Sequence, residues 1–206
     1  MPNHVMNILS VKGKSKKQVL EAIKSEYSPV DFNKILPMPT ELKGTCSPAH
    51  IVSEQDYEAE VQKAKDLAAK NPFFGLSLPL TQKLHDELIA KYGHAEWYGW
   101  SCKNWGTKWN AYSIRTKRGG KISFQTAWST PVPVIKALSR TFPDVEICVE
   151  FADEDIGNNT GIYICRAGEI LTGDRSTDYN DEACKFAKSV WRKGKNGQAV
   201  PDKDEE

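Results

Sequence analysis

Five of the six tryptophans fall between His94 and Trp128, in HAEWYGWSCKNWGTKWNAYSIRTKRGGKISFQTAW, and any fold for this chain must find room for them. Tryptophan is mostly buried on average, yet the four indoles between Trp97 and Trp109 exceed what one sheet face can cover. Gly99 and Gly106 allow tight turns that send some indoles inward and others outward. At least one is therefore expected to be partly exposed. The same stretch carries Lys103, Lys108, Arg115, Lys117, Arg118 and Lys121 against Glu96 alone, in a chain whose formal net charge is +1. The balancing acid is concentrated in 144–160, where Asp144, Glu146, Glu150, Asp153, Glu154 and Asp155 occur without Lys or Arg.

With 206 residues, 39% hydrophobic and 27% charged, the chain can build one good core carrying an insertion. No apolar run approaches the roughly 20 residues that cross a bilayer. MPNHVMNILSV also lacks the basic start and apolar centre of a secretory leader, so a cytoplasmic protein with no membrane attachment is expected. Five dispersed cysteines with no C-x-x-C pair read as thiols and not as a disulfide frame. The near-neutral charge argues against non-specific binding to duplex DNA, which requires many phosphates to be neutralised together.

His4 to Val11 alternates as a strand with two partly apolar faces, Val5, Leu9 and Val11 on one and Met6 and Ile8 on the other. Ser15 and Gln18 have capping-box spacing, opening a helix that continues through Val19, Leu20, Ile23 and Tyr27. DFNKILPMPT, residues 31–40, is too rich in proline for a central strand and reads as an edge segment or loop held by Phe32, Ile35, Leu36 and Met38. Ser53 and Thr81 each cap a helix, and Gly93 suits a left-handed end to the second. Trp109–Arg115 and Lys121–Trp128 form a hairpin, with Ile122, Phe124, Thr126 and Trp128 on one face. Thr130 precedes a helix with Pro131 at its first position, lined by Val134, Ile135, Leu138 and Phe142. Val145–Phe151 is the cleanest half-buried strand, Gly161–Cys165 adds another, and Asp178 caps a last helix bearing Ala183, Phe186, Ala187, Val190 and Trp191.

Setting aside a helical insertion at about 41–106, the order is strand, helix, strand, strand, helix, strand. This predicts an α+β fold, the ferredoxin-like split β-α-β antiparallel sheet, as a single domain over 1–193 with a C-terminal helix. Residues 194–206 lack apolar anchors and are expected to be disordered.

NHVMNILSVKG, DFNKILPMP, NWGTKWNA, FQTAWSTPVPVIKALSRTFP and EFADEDIG occur in this order, and together they resemble the YubB-type, phage Api-like proteins of plasmids and phages. The resemblance is weakest from about Thr45 to Gly93 and after Gly168. It implies a ferredoxin-like domain in a mobile-element accessory protein of a group without assigned function, and it carries over no catalytic residues.

Candidate binding residues are Trp100, Asn104, Trp105, Lys108, Trp109 and Asn110, polar groups packed among indoles, together with Asp153 and Asp155 of the acidic turn. Lys108 stands out because a buried ammonium needs a partner, and the turn from Glu150 to Asp155 is the densest source of carboxylates. That turn does not fit an EF-hand, since Gly157 falls fifth and not sixth. The four histidines show no metal-ligand spacing, and no nucleophile, base and orienting group converge, so neither metal nor cofactor is expected. Three functions remain. The leading one is a non-enzymatic module that docks onto a host or competing-element protein, with counter-defence as its role. The second is single-stranded nucleic-acid binding through the sheet face and Trp109, Tyr112, Lys121 and Phe124. The third is an enzyme with its site between Lys108 and the Glu150–Asp155 turn.

Overall fold

The computed structural model describes residues 2–71, 75–195 and 198–199. It divides into two compact units, one made of Met1–Pro37 with Asn104–Glu206 and the other of Met38–Lys103. In chain order the elements are β1 (His4–Lys12), α1 (Lys16–Ala22), β2 (Ile51–Val52), α2 (Tyr57–Lys70), β3 (Leu80–Thr81), α3 (Gln82–Tyr92) and α4 (Trp97–Asn104). Then follow β4 (Tyr112–Lys117), β5 (Lys121–Ala127), α5 (Val132–Thr141), β6 (Glu146–Asp153), β7 (Thr160–Arg166), β8 (Glu169–Ser176), α6 (Asp181–Lys195) and β9 (Gln198–Ala199).

The first unit holds one sheet in the order β8-β7-β6-β1-β5-β4-β9, with every neighbouring pair antiparallel. Its inner part, β6-β1-β5-β4, places the fourth, first, third and second strands of a βαββαβ chain side by side, and this is the ferredoxin-like arrangement. β1 lies at the centre, with Ile8 opposite Ser123 on one side and Glu150 on the other. Val5, Leu9 and Val11 are buried on one face with Ile147, Val149 and Phe151, the face covered by α1 and α5. Met6 and Ile8 point the opposite way and pack with Ala152 against Ala187 and Val190 of α6. Both sheet faces are therefore covered. Close approach of α6 depends on Gly194, where a methyl group would overlap the Met6 thioether, and the Gly194 carbonyl accepts the Ser123 hydroxyl at 2.9 Å.

Several element ends differ from the sequence reading for local reasons. Ser15 makes no side-chain cap on α1, its backbone at φ −84° and ψ 17° lying outside the extended region a cap uses; its hydroxyl donates to Asp144 at 2.7 Å, and that helix stops at Ala22. The chain from Asp31 is a 3-10 turn capped by the Asp31 carboxylate. Pro131 sits just before α5 and Pro133 lies inside its first turn. α6 begins at Asp181, where the Asn180 side chain accepts the Ala183 N–H at 2.8 Å, in place of the cap expected at Asp178. β8 was not foreseen, since its residues are almost all exposed and show no apolar alternation. Of the stretch 194–206, Gly194 and Lys195 complete α6 and 198–199 pair with β4. The expectation for 196–197 and 200–206 lies outside the described residues.

In the second unit, β2 and β3 pair in parallel. α2 is a 14-residue helix without a fully buried side chain, opened at Asp56 and not at Ser53. α3 is capped as expected, with the Thr81 hydroxyl oxygen accepting the Leu84 N–H at 3.2 Å and Gly93 in the left-handed conformation at φ 75°. Glu96 opens α4 by accepting the N–H groups of Tyr98 and Gly99, each at 2.7 Å.

Ile147 is fully buried near the start of β6, so Ile147→Ala should cost about 2–5 kcal/mol. A denaturant melt checks this, and an unchanged midpoint would contradict the packing.

Candidate functional site

β5 ends at Ala127, and Trp128 makes the corner that follows with φ at 70°. For a residue with a Cβ this left-handed conformation costs about 1–2 kcal/mol, so something must hold it. The Trp128 N–H donates to the Asn3 carbonyl at 2.9 Å, and its own carbonyl accepts the Asn159 side-chain amide at 2.9 Å. The same amide donates to Asp153 at 3.1 Å. Asp153, only 4% exposed, also accepts the Asn3 side-chain amide at 3.1 Å and the Asp155 N–H at 3.0 Å. A buried carboxylate thus ties three loops around one strained residue.

That clamp presents an indole to solvent. Trp128 is 41% exposed and Trp109 is 38% exposed, and the Lys108 ammonium lies over both rings, 4.8 Å from the Trp109 centroid and 5.3 Å from that of Trp128. Trp109 meets Tyr112 edge-on at 6.3 Å, and the Tyr112 hydroxyl is hydrogen-bonded to His4 Nδ1 at 2.7 Å. The His4 N–H in turn donates to the Glu154 carboxylate at 3.0 Å. Burial, with the Glu154 charge adding to it, pushes the Tyr112 phenol up to about 12. The exposed Asp155 carboxylate accepts the hydroxyl of Tyr179, which is itself exposed. One end of the sheet therefore carries a strip of Trp109, Trp128 and Tyr112, with Glu154 bonded to His4 beside it and the Asp155–Tyr179 pair on the turn that follows Asp153.

The structure separates the candidate residues. Lys108 and Trp109 lie in this strip, Asp155 borders it, and Asp153 supports it from beneath. Trp100 is buried in α4 of the other unit, and Asn104 is half-buried at the end of that helix. Trp105 is buried as well, its indole N–H donating to the Leu36 carbonyl at 2.8 Å and its ring edge-on to Phe32. Asn110 is structural: its side-chain oxygen accepts the Phe32 N–H at 2.9 Å, and its amide donates to Asp31 at 2.8 Å. Tyr112, expected only as a nucleic-acid contact, and Glu154, expected only as part of the acidic turn, also belong here; Trp128 and His4 complete the strip and Tyr179 lies on the neighbouring turn, and these three are not among the expected site residues. The two-residue alternation of β5 puts Trp128 on the Ile122, Phe124 and Thr126 face, but the strand stops one residue earlier, at Ala127.

The four residues expected to bind nucleic acid do not share a surface. Phe124 is 1% exposed and packs edge-on to Phe32, and α6 covers the other sheet face. Lys121 begins β5, whereas Tyr112 lies opposite Gln125 four residues on, roughly 13 Å away at about 3.3 Å per residue, with Trp109 beyond it. Lys121 belongs instead to a basic corner, directly opposite Lys117 and near Arg115 and Lys193. Partial burial, then repulsion from Arg115 and Lys121, lowers the Lys117 pKa from its ordinary value. For the enzyme reading, the Glu150 carboxylate is engaged by Lys193 at 2.6 Å. A groove of about 380 Å³ beside β7, β8 and the start of α6 is lined by Asp174, Arg175, Asp178 and Glu182 and includes neither Lys108 nor the Glu150–Asp155 turn. No helix among the described residues is long and apolar enough to cross a membrane.

The segment holding the strip also has relatives. Residues 105–192 match the family model of the ferredoxin-like domain in Api92-like protein. The Api92-like match runs from Trp105 through β4, β5, α5 and β6–β8 into α6, and so includes Lys108, Trp109, Trp128 and Asp153. Among solved structures, protein api92 from Yersinia pseudotuberculosis aligns over 86% of this chain and 99% of its own, at 10% identity and a TM-score of 0.46. No curated protein matches this chain.

Lys117 is held among like charges, so Lys117→Met should raise the melting temperature at neutral pH. The sign follows from its lowered pKa: the charged form is disfavoured in the folded state, and that penalty disappears as pH rises through the folded pKa. The gain over wild type should therefore shrink in alkaline buffer, as thermal melts at pH 7 and pH 10 will show.

Proposed function

We propose that the protein is a non-enzymatic docking module and that it engages a protein partner through the strip formed by Trp109, Trp128 and Tyr112. The observation that carries this reading is Trp128, a bulky residue kept in the left-handed region by hydrogen bonds centred on the buried Asp153 while its side chain remains partly exposed. Such strain is retained where it serves a site, and rigid exposed Trp and Tyr side chains are the usual energetic centres of protein interfaces. The motifs shared with YubB-type proteins support an accessory role in a plasmid or phage, with counter-defence as the activity such docking would serve.

Trp128→Gly separates binding from folding. Glycine accepts positive φ without penalty, so relief of strain should offset the lost indole contacts and leave the melting temperature within a few degrees of wild type. Capture of a discrete protein from host lysate should nevertheless be lost. Capture that persists in Trp128→Gly would refute the docking surface, and capture abolished by nuclease would move the assignment to nucleic acid.

A further inference from the structure

We infer that the partner presents a cationic segment, and that the chain's own Lys108 occupies the place of an incoming arginine or lysine between Trp109 and Trp128. This rests on the docking reading above and adds the chemistry of the partner. Two indole rings already hold one ammonium at 4.8 and 5.3 Å, within the range over which a ring attracts a cation. The charges beside it have the matching sign. Glu154 borders Tyr112 through His4, and Asp155 borders Tyr179. The groups bonded to these two carboxylates in those contacts are neutral: a backbone N–H and a phenol. Their negative charge is therefore not cancelled by the groups that orient them. A basic segment entering here would place one side chain on the indoles and others against Glu154 and Asp155. An acidic segment would gain Lys108 alone and face both carboxylates.

The arrangement gives Lys108 a distinctive role. As an occupant it competes with the ligand, so its removal should strengthen binding of a cationic partner, whereas removal of an ordinary contact residue weakens binding. Arginine is the better competitor, because its planar guanidinium stacks on indole faces and is more weakly hydrated than an ammonium.

The test titrates wild type, Lys108→Gln, Trp128→Gly and Glu154→Gln with hexa-arginine and with hexaglutamate, at two salt concentrations, following peptide fluorescence anisotropy. Thermal melts confirm that each variant is folded. The expected result is hexa-arginine binding that tightens about threefold in Lys108→Gln and weakens about thirtyfold in Trp128→Gly. In Glu154→Gln it should weaken and become less sensitive to salt. Hexa-arginine affinity that is unchanged or reduced in Lys108→Gln overturns the inference. Hexaglutamate binding that depends on Trp128 also overturns it, yet leaves the docking surface standing. If neither peptide depends on Trp128, both the cationic partner and the strip as a docking surface fall together.

Discussion

β1 is hydrogen-bonded along both edges and buried on both faces, and the rest of the first unit follows from that double demand. A strand with Val5, Leu9 and Val11 on one side and Met6 and Ile8 on the other cannot be satisfied by a two-layer α/β sandwich. It needs helices above and below. α1 and α5 supply one layer, as the βαββαβ order requires, and α6 returns after β8 to supply the second. The approach of α6 is close enough that Gly194 is needed beneath Met6. Closing the second face also removes the open sheet surface on which related topologies stack nucleic-acid bases.

With both faces occupied, the exposed functional groups are pushed to the strand ends. The tryptophans of the defining segment are sorted accordingly. Trp105 fills the core beside Phe32 and Leu36, and Trp100 is buried in its own unit, whereas Trp109 and Trp128 remain at the sheet end. Trp128 is held there by Asp153 and Asn159, polar groups buried where a core would ordinarily be apolar, together with the exposed Asn3. Such fully hydrogen-bonded networks fix one conformation closely, and here the conformation fixed is a strained one.

Much of the fold was legible in the sequence because it rests on period: the two-residue alternation of β1, β5 and β6 and the helical stripes of α5 and α6. Thr81 and Gly93 were legible through cap chemistry. Competition hid the rest. Ser15 has the spacing of a cap but not its extended backbone, its hydroxyl being turned to Asp144 from a distant loop, and β8 is exposed with no apolar face to betray it. At the candidate site, Lys108 and Trp109 were visible as a basic–aromatic pair. Trp128 was visible as a residue but not as a corner, because nothing in FQTAWST announces a left-handed turn at a tryptophan. Asp153 was read as a contact, and its burial beneath the corner is a long-range property of strands 150 residues apart in sequence.

The opposite placement of the basic corner and the carboxylate-edged strip has a kinetic meaning. Lys117, Lys121 and Arg115 lie where β4 meets β5, while Glu154 and Asp155 follow the other end of β6, so these five charges contribute a dipole along the strands. A charged body approaching from a distance feels that dipole before it feels any side chain, and the resulting torque turns it toward one pole during the encounter. Orientation is then selected in solution, ahead of contact, and the selection fades as salt shortens the range over which the field acts.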